Sequence, residues 1–101
     1  MRVNTTKKGA TELSKEKRVL ADLQRIPSIG PKVAKMLFEI GIDSVSSLRD
    51  RSPEELYEKV CLFRHENMDR CVLYHFRCAV YFATEKEHDP ERLKWWSWKD
   101  G

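Results

Sequence analysis

In the stretch RIPSIGPKVAKML, residues 25–37, Pro27, Gly30 and Pro31 stand directly ahead of Lys32 and an apolar repeat. Residue types in this order suit one kind of chemistry, the holding of an anion. The first N–H groups of an α-helix have no partner inside the helix and carry the positive end of its dipole. Pro31 suits the first helical position, where a missing N–H costs nothing. Gly30 removes side-chain bulk just ahead of it, and Lys32 adds a full positive charge in the first turn. A phosphate fits such a place, and because no base is touched the binding is insensitive to nucleotide sequence. Arg25 and Lys35 flank the turn, within reach of neighbouring phosphates. The same residues also suit a plain helix corner with a solvated lysine, or a surface for a protein partner. The pattern alone leaves all three readings open.

Two other sets of residues have chemical potential. Cys71, His75 and Cys78 are spaced i, i+4 and i+7, with Cys61 on a preceding helix, and these are zinc-ligand types. Three ligands on one helix make a poor tetrahedron, however, and free cysteine is among the most buried residue types. Core thiols without a metal are the expectation. Trp95, Trp96 and Trp98 offer either a clamp for the last helix or a stacking platform for unpaired bases. If one ring is exposed, Trp98 is expected, since Trp95 and Trp96 share a helical turn. His65, His75 and His88 stand in no motif with a serine or carboxylate, and HExxH, GxSxG and P-loop patterns are absent from the sequence. The chain is expected not to be an enzyme.

The elements that must position the turn are helices. Val19, Leu20, Leu23 and Ile26 share one side of a helix predicted from Leu13 or Ser14 to Arg25, and Pro27 stops it. After Pro31, the residues Val33, Met36, Leu37 and Ile40 recur at i, i+3, i+4 and i+7, and Gly41 suits the residue just past the helix end. Asp43 or Ser44 caps a short helix through Arg49. Ser52-Pro53-Glu54-Glu55 is a capping box that opens another, carrying Leu56, Tyr57, Val60 and Cys61. From Met68 or Asp69 to about Ala83 the chain is apolar nearly all round, which predicts a central buried helix. Asp89-Pro90 opens a last short helix ending in the tryptophans. The expected fold class is all-α, a compact bundle of five to six short helices. Residues 1–13 read as a flexible basic tail and 14–101 as one domain.

Composition narrows the function classes. With 101 residues, 41% hydrophobic and 35% charged, the chain suits a single small globular core. No run approaches a membrane span or a secretory signal, so a cytoplasmic location and no membrane partner are expected. Three cysteines without a CxxC pair suit reduced thiols. The formal net charge is +3, but residues 1–18 carry six basic and two acidic side chains, while residues 19–101 carry thirteen and fourteen. The body is close to neutral, so a globally basic nucleic-acid binder is excluded and a local patch is not.

The run IPSIGPKVAKML resembles the helix-hairpin-helix motif of DNA repair and processing proteins, and GIDSVSSLRD…SPEEL is similar to its usual continuation. The wider pattern SPEELYEKVC…DRCVLYHFRCAVYFA…LKWWSWKD resembles a family of small bacterial helix-hairpin-helix proteins labelled "pathogenicity locus" or mitomycin-resistance proteins. The resemblance covers roughly residues 16–99. It implies a fold of the tandem helix-hairpin-helix, or SAM-like, type. It implies phosphate contacts from the backbone N–H groups of Ser28, Gly30, Lys32 and Val33. Through the carbonyls of Gln24, Ile26 and Ile29 it also implies a monovalent cation, the one cofactor in question. The commonest form of the motif has glycine where this chain has Ser28. A second hairpin is implied near residues 62–68, LFRHENM, which has neither glycine nor proline and is expected not to bind phosphate. The resulting expectation is a non-enzymatic protein that binds DNA backbone without sequence preference, weakly on its own, in a repair- or processing-related setting. The alternative is an adaptor that uses the same helical fold to hold a protein partner or a second copy.

Overall fold

A computed structural model of the chain describes residues 14–100, and the expected tail, residues 1–13, lies outside them together with Gly101. Among the described residues the fold is all-α, with four α-helices, three single-turn 3₁₀ segments and no strand. Helix α1 covers residues 14–23, α2 Pro31–Glu39, α3 Pro53–Arg64 and α4 Arg70–Thr84. The 3₁₀ segments are Ser46–Leu48, Pro90–Leu93 and Trp95–Trp98. Two of the expected short helices are therefore tighter than α. Within the expected helix through Arg49 only Ser46–Leu48 is helical, as one 3₁₀ turn, and the last helix is two 3₁₀ turns broken at Lys94. Runs of three or four residues cannot close enough i→i−4 bonds to hold an α-helix, so i→i−3 bonds take over.

Each boundary has a local cause. The end of α1 tightens over Arg25 and Ile26, whose N–H groups donate to Asp22 and Leu23 three residues back. Pro27 then prevents any continuation. Helix α2 ends in a Schellman motif: the Gly41 N–H donates to the Phe38 carbonyl and the Ile42 N–H to that of Leu37. Gly41 sits at φ +95, and Ile42 is buried in the core beside Leu37. At the start of α3 the Ser52 hydroxyl accepts from the Glu55 N–H at 3.2 Å, behind Pro53. Asp69 caps α4 by accepting from the Cys71 N–H at 3.0 Å.

The core joins all four helices. Val19, Leu23, Ile26, Ile29, Ala34, Leu37, Ile42, Leu48, Leu56, Val60, Phe76 and Ala79 belong to one buried cluster. Helix α4 lies at its middle. It touches α3, the Ser46–Leu48 turn and both C-terminal 3₁₀ segments, and none of its residues 71–84 is fully exposed. Phe76 has no exposed surface, so removing its ring would cost about 3–5 kcal/mol.

The two glycines around α2 have different duties. Gly41 is held at positive φ, where a Cβ is strained although space around it is open. Gly30 is extended at φ −94 and ψ −175, and a Cβ there would also meet nothing within 4 Å. Gly41→Ala is therefore expected to lower stability by about 1 kcal/mol or more, and Gly30→Ala to change it by less than about 1 kcal/mol, in urea denaturation.

A candidate nucleic-acid interface at the first helix corner

The turn between α1 and α2 is fixed from below by two isoleucines. Ile26 and Ile29 are buried, and the Ile29 N–H donates to the Ile26 carbonyl at 3.1 Å. Between them Ser28 takes φ +78, a conformation in which glycine is unstrained and serine is not. Its hydroxyl points away from the helix start and donates to the Leu93 carbonyl at 2.7 Å. The C-terminal segment is thus tied to the turn. Cys78 of α4 lies beneath the same junction, with its Sγ 3.9 Å from the Pro27 carbonyl and 3.6 Å from that of Arg92. Burial pushes its thiol up to about 11, only partly opposed by Ser28.

The upper side of the turn is open. The first helical N–H of α2 to be satisfied is that of Ala34, which donates to Gly30 at 3.0 Å. The N–H groups of Ser28, Gly30, Lys32 and Val33 donate to no group among the described residues. No side chain caps α2, and its first turn holds no acidic residue. The starts of α3, α4 and the Pro90–Leu93 turn are closed by oxygens of Ser52, Asp69 and Asp89, whereas the Ser46–Leu48 and Trp95–Trp98 turns, like α2, have no side-chain cap. A helix start without its own acceptor keeps its donors for water or for an anion.

The three basic side chains near the turn are not equivalent. Lys32 is exposed and forms no ion pair among the described residues. Lys35 is half-buried, pairs with Glu16 of α1 and lies 5.7 Å from the Phe38 ring centre. Arg25 pairs with Asp22 at 2.6 Å. Asp22 in turn accepts from the Val45 N–H at 2.8 Å, and that bond, together with Arg25, holds its carboxyl below the ordinary value. Gln24, Ile26 and Ile29 do fall in the turn, with the Ile26 carbonyl already accepting from Ile29. The partners Glu16 and Leu93, and the bond from Asp22 to Val45, were not to be found from sequence, because each joins separate elements.

The cysteines and histidines do not converge. Among the described residues no group of three or more His, Cys, Asp or Glu side chains is placed to share a metal. Cys61 accepts from the Met68 N–H at 3.5 Å, and Cys78 lies under the turn. His75 Nδ1 lies 2.7 Å from the Cys71 carbonyl, and the His75 ring stacks on Trp95 with centroids 4.8 Å apart. The tryptophans differ from expectation. Trp98, expected to be the exposed one, packs against Tyr81 at 5.5 Å, under the Arg92 guanidinium and with its Nε1 donating to the Arg92 carbonyl at 2.8 Å. Trp96 is the open ring, 52% exposed. A 3₁₀ turn repeats every three residues, so Trp95 and Trp98 share a side and Trp96 faces away. At the end of α3, Leu62 and Phe63 are 74% and 55% exposed.

The family described as "Pathogenicity locus" matches residues 16–101, and the chain belongs to it. It is also similar to the mitomycin resistance protein McrB of Streptomyces lavendulae, with 36% identity over 76 residues, 75% of this chain and 69% of that protein. No solved structure matches the chain.

Two outcomes follow from the turn. Ser28→Ala keeps the strained φ and loses the bond to Leu93, so it is expected to destabilise by about 1–2 kcal/mol, whereas Ser28→Gly exchanges the bond for relief of strain and stays within about 1 kcal/mol of wild type. Asp22 contributes stability above its ordinary value of 3.8, lost as the pH falls through its lowered folded value. Asp22→Asn is therefore expected to flatten the acid limb of stability against pH in thermal melts, and an unchanged limb would contradict this.

Proposed function

We propose that the chain is a helix-hairpin-helix protein that binds DNA backbone through α1, the 24–30 turn and α2, without sequence preference and without catalysis. The observation that carries this reading is the uncapped start of α2. Four backbone N–H groups, a glycine with free space around it and a Lys32 without an ion pair among the described residues meet there, while α3 and α4 are capped by their own Ser52 and Asp69 oxygens. These are the contacts the motif makes with a phosphate, and glycine at position 30 is not demanded by the backbone, which is extended there. What the glycine leaves is room for close approach. A monovalent cation beneath the turn, held by the carbonyls of Gln24, Ile26 and Ile29, belongs to the same reading.

The second corner supports the expectation that it holds no phosphate. Between α3 and α4, His65 takes the left-handed conformation at φ +56, and the Asp69 carboxylate occupies the start of α4. A carboxylate at a helix start competes directly with a phosphate for the same donors. One open corner with Lys32 free, and with Arg25 and Lys35 already paired, makes few contacts. At a salt slope of about −0.9 per neutralised phosphate, such binding is weak at physiological salt. Mitomycin resistance in the relative is compatible with a protein that acts at DNA in a repair-related setting.

The adaptor reading has one observation in its favour, the adjacent exposed Leu62 and Phe63 at the end of α3. It is separated from the first reading by location, since these side chains are not on the first corner.

Gly30→Asp tests the proposal. It places an acceptor where Asp69 stands on α4, so it is expected to leave stability equal or slightly raised while reducing affinity for labelled duplex DNA about tenfold at low salt. Lys32→Gln is expected to lower the salt slope by about 1. Wild-type protein that binds no duplex at low salt, or Gly30→Asp protein that binds as wild type does, would overturn the reading. A partner lost on Phe63→Glu with DNA binding intact would favour the adaptor.

A further inference from the structure

The exposed Trp96 lies a short length of chain from residues that reach the open corner. Leu93 touches the turn itself through its bond with Ser28, and the Cys78 thiol lies between the carbonyls of Pro27 and Arg92. Three residues of chain, at most about 11 Å, separate Leu93 from Trp96. That is about three nucleotides along a strand.

The Trp96 ring is also anchored through α4. His75 stacks on Trp95, and Trp95 meets Trp96 edge to face with centroids 5.7 Å apart at 88°. Trp96 is thus exposed yet held by a packed ring rather than left on a free rotor.

Within residues 92–99 the charged side chains have one sign. Residues 92–99 carry Arg92, Lys94 and Lys99 and no acid. The flanking acids are engaged, Glu91 with Lys94 at 3.1 Å and Asp100 with Arg70 and Arg77. Lys99 lies 5.8 Å from the Trp95 ring and Arg92 5.0 Å from that of Trp98. A fixed, open indole among cations, within a few nucleotides of a phosphate site, has the make-up of a stacking platform for an unpaired base.

We infer that Trp96 stacks on an unpaired base next to the strand held by the first corner, so that the preferred substrate is DNA carrying a single-stranded end or gap beside duplex. This rests on the reading of the corner as a phosphate site, and it names the substrate class of that site. Base–aromatic stacking is worth about 1–3 kcal/mol per base, so a duplex with a short overhang should bind on the order of tenfold more tightly than a blunt one.

The test uses three labelled probes: a blunt 20-base-pair duplex, the same duplex with a three-nucleotide overhang, and that overhang with abasic sites in place of its bases. Fluorescence anisotropy at low salt gives the affinity of the full chain, of Trp96→Ala and of Gly30→Asp. The expected result is an overhang-to-blunt ratio of about ten for wild type, falling to about one with the abasic overhang and with Trp96→Ala. Gly30→Asp weakens both probes by a similar factor and keeps the ratio. Quenching of tryptophan emission by the overhang duplex, absent with the abasic probe and in Trp96→Phe, supports the stack directly. Duplex binding sensitive to Gly30→Asp but with a wild-type ratio near one overturns the inference and leaves the corner standing. Overhang binding that depends on Trp96 but ignores Gly30→Asp overturns the corner and keeps the stack. No binding to any probe overturns both.

Discussion

Helix α4 is apolar on too many sides to be covered by one neighbour, and the rest of the structure follows from wrapping it. A helix with a single apolar stripe needs one partner, but Val72, Leu73, Phe76, Cys78 and Ala79 are buried on more than one side. Helix α3 and the Ser46–Leu48 turn take part of this surface. The remainder is covered by residues 90–98, which have no regular α-helix and serve as a strap. Their tryptophans supply the area, with Trp98 against Tyr81 and Trp95 against His75. Arg77 fixes the strap by donating to the Trp98 carbonyl and pairing with Glu54 and Asp100. The open corner and the exposed Trp96 are brought together because the strap, in covering α4, also reaches Ser28.

The same packing engages part of the positive charge of the body. Arg25, Lys35, Arg64, Arg70, Arg77 and Lys94 all have carboxylate partners, several on other elements. Exposed pairs of this kind contribute little to stability, but each one lowers the field that a phosphate would feel. On the proposed reading, attraction to DNA rests on local features rather than on net charge: unpartnered N–H groups, Lys32, and the basic residues beside Trp96.

What was legible in the sequence was whatever a few consecutive residues determine. Pro27 ending α1, Pro31 opening α2, Gly41 at positive φ and the Ser52 cap all act within five residues of themselves, and the alternation of apolar positions marks the buried faces. What was not legible depends on distance along the chain. Serine at position 28 read as a mild departure from glycine. Its hydroxyl in fact bonds a carbonyl 65 residues away, which offsets the strain of its φ. The exposed tryptophan was misplaced for a different reason. An α-helical repeat of 3.6 puts Trp95 and Trp96 together, whereas the observed 3₁₀ repeat of three puts Trp95 and Trp98 together. Nothing in the run LKWWSWKD says that it is too short and too tightly strapped to be α.

The two corners of the fold form a controlled comparison within one chain. Each joins two helices that contribute to the common core, and each contains a non-glycine residue at positive φ, Ser28 in one and His65 in the other. They differ in what stands at the start of the second helix. Asp69 closes α4 with a carboxylate, and the apolar residues just before that turn, Leu62 and Phe63, face solvent. Gly30 leaves α2 open, and the residues around that turn, Ile26 and Ile29, face the core. If capping were needed only for stability, the more useful residue at position 30 would be the one found at 69, since aspartate stabilises a helix start slightly better than glycine. The chain forgoes that gain at the corner whose amides are unpartnered and whose lysine is free. Stability alone does not account for glycine there, and the proposed approach of an anion to the backbone would.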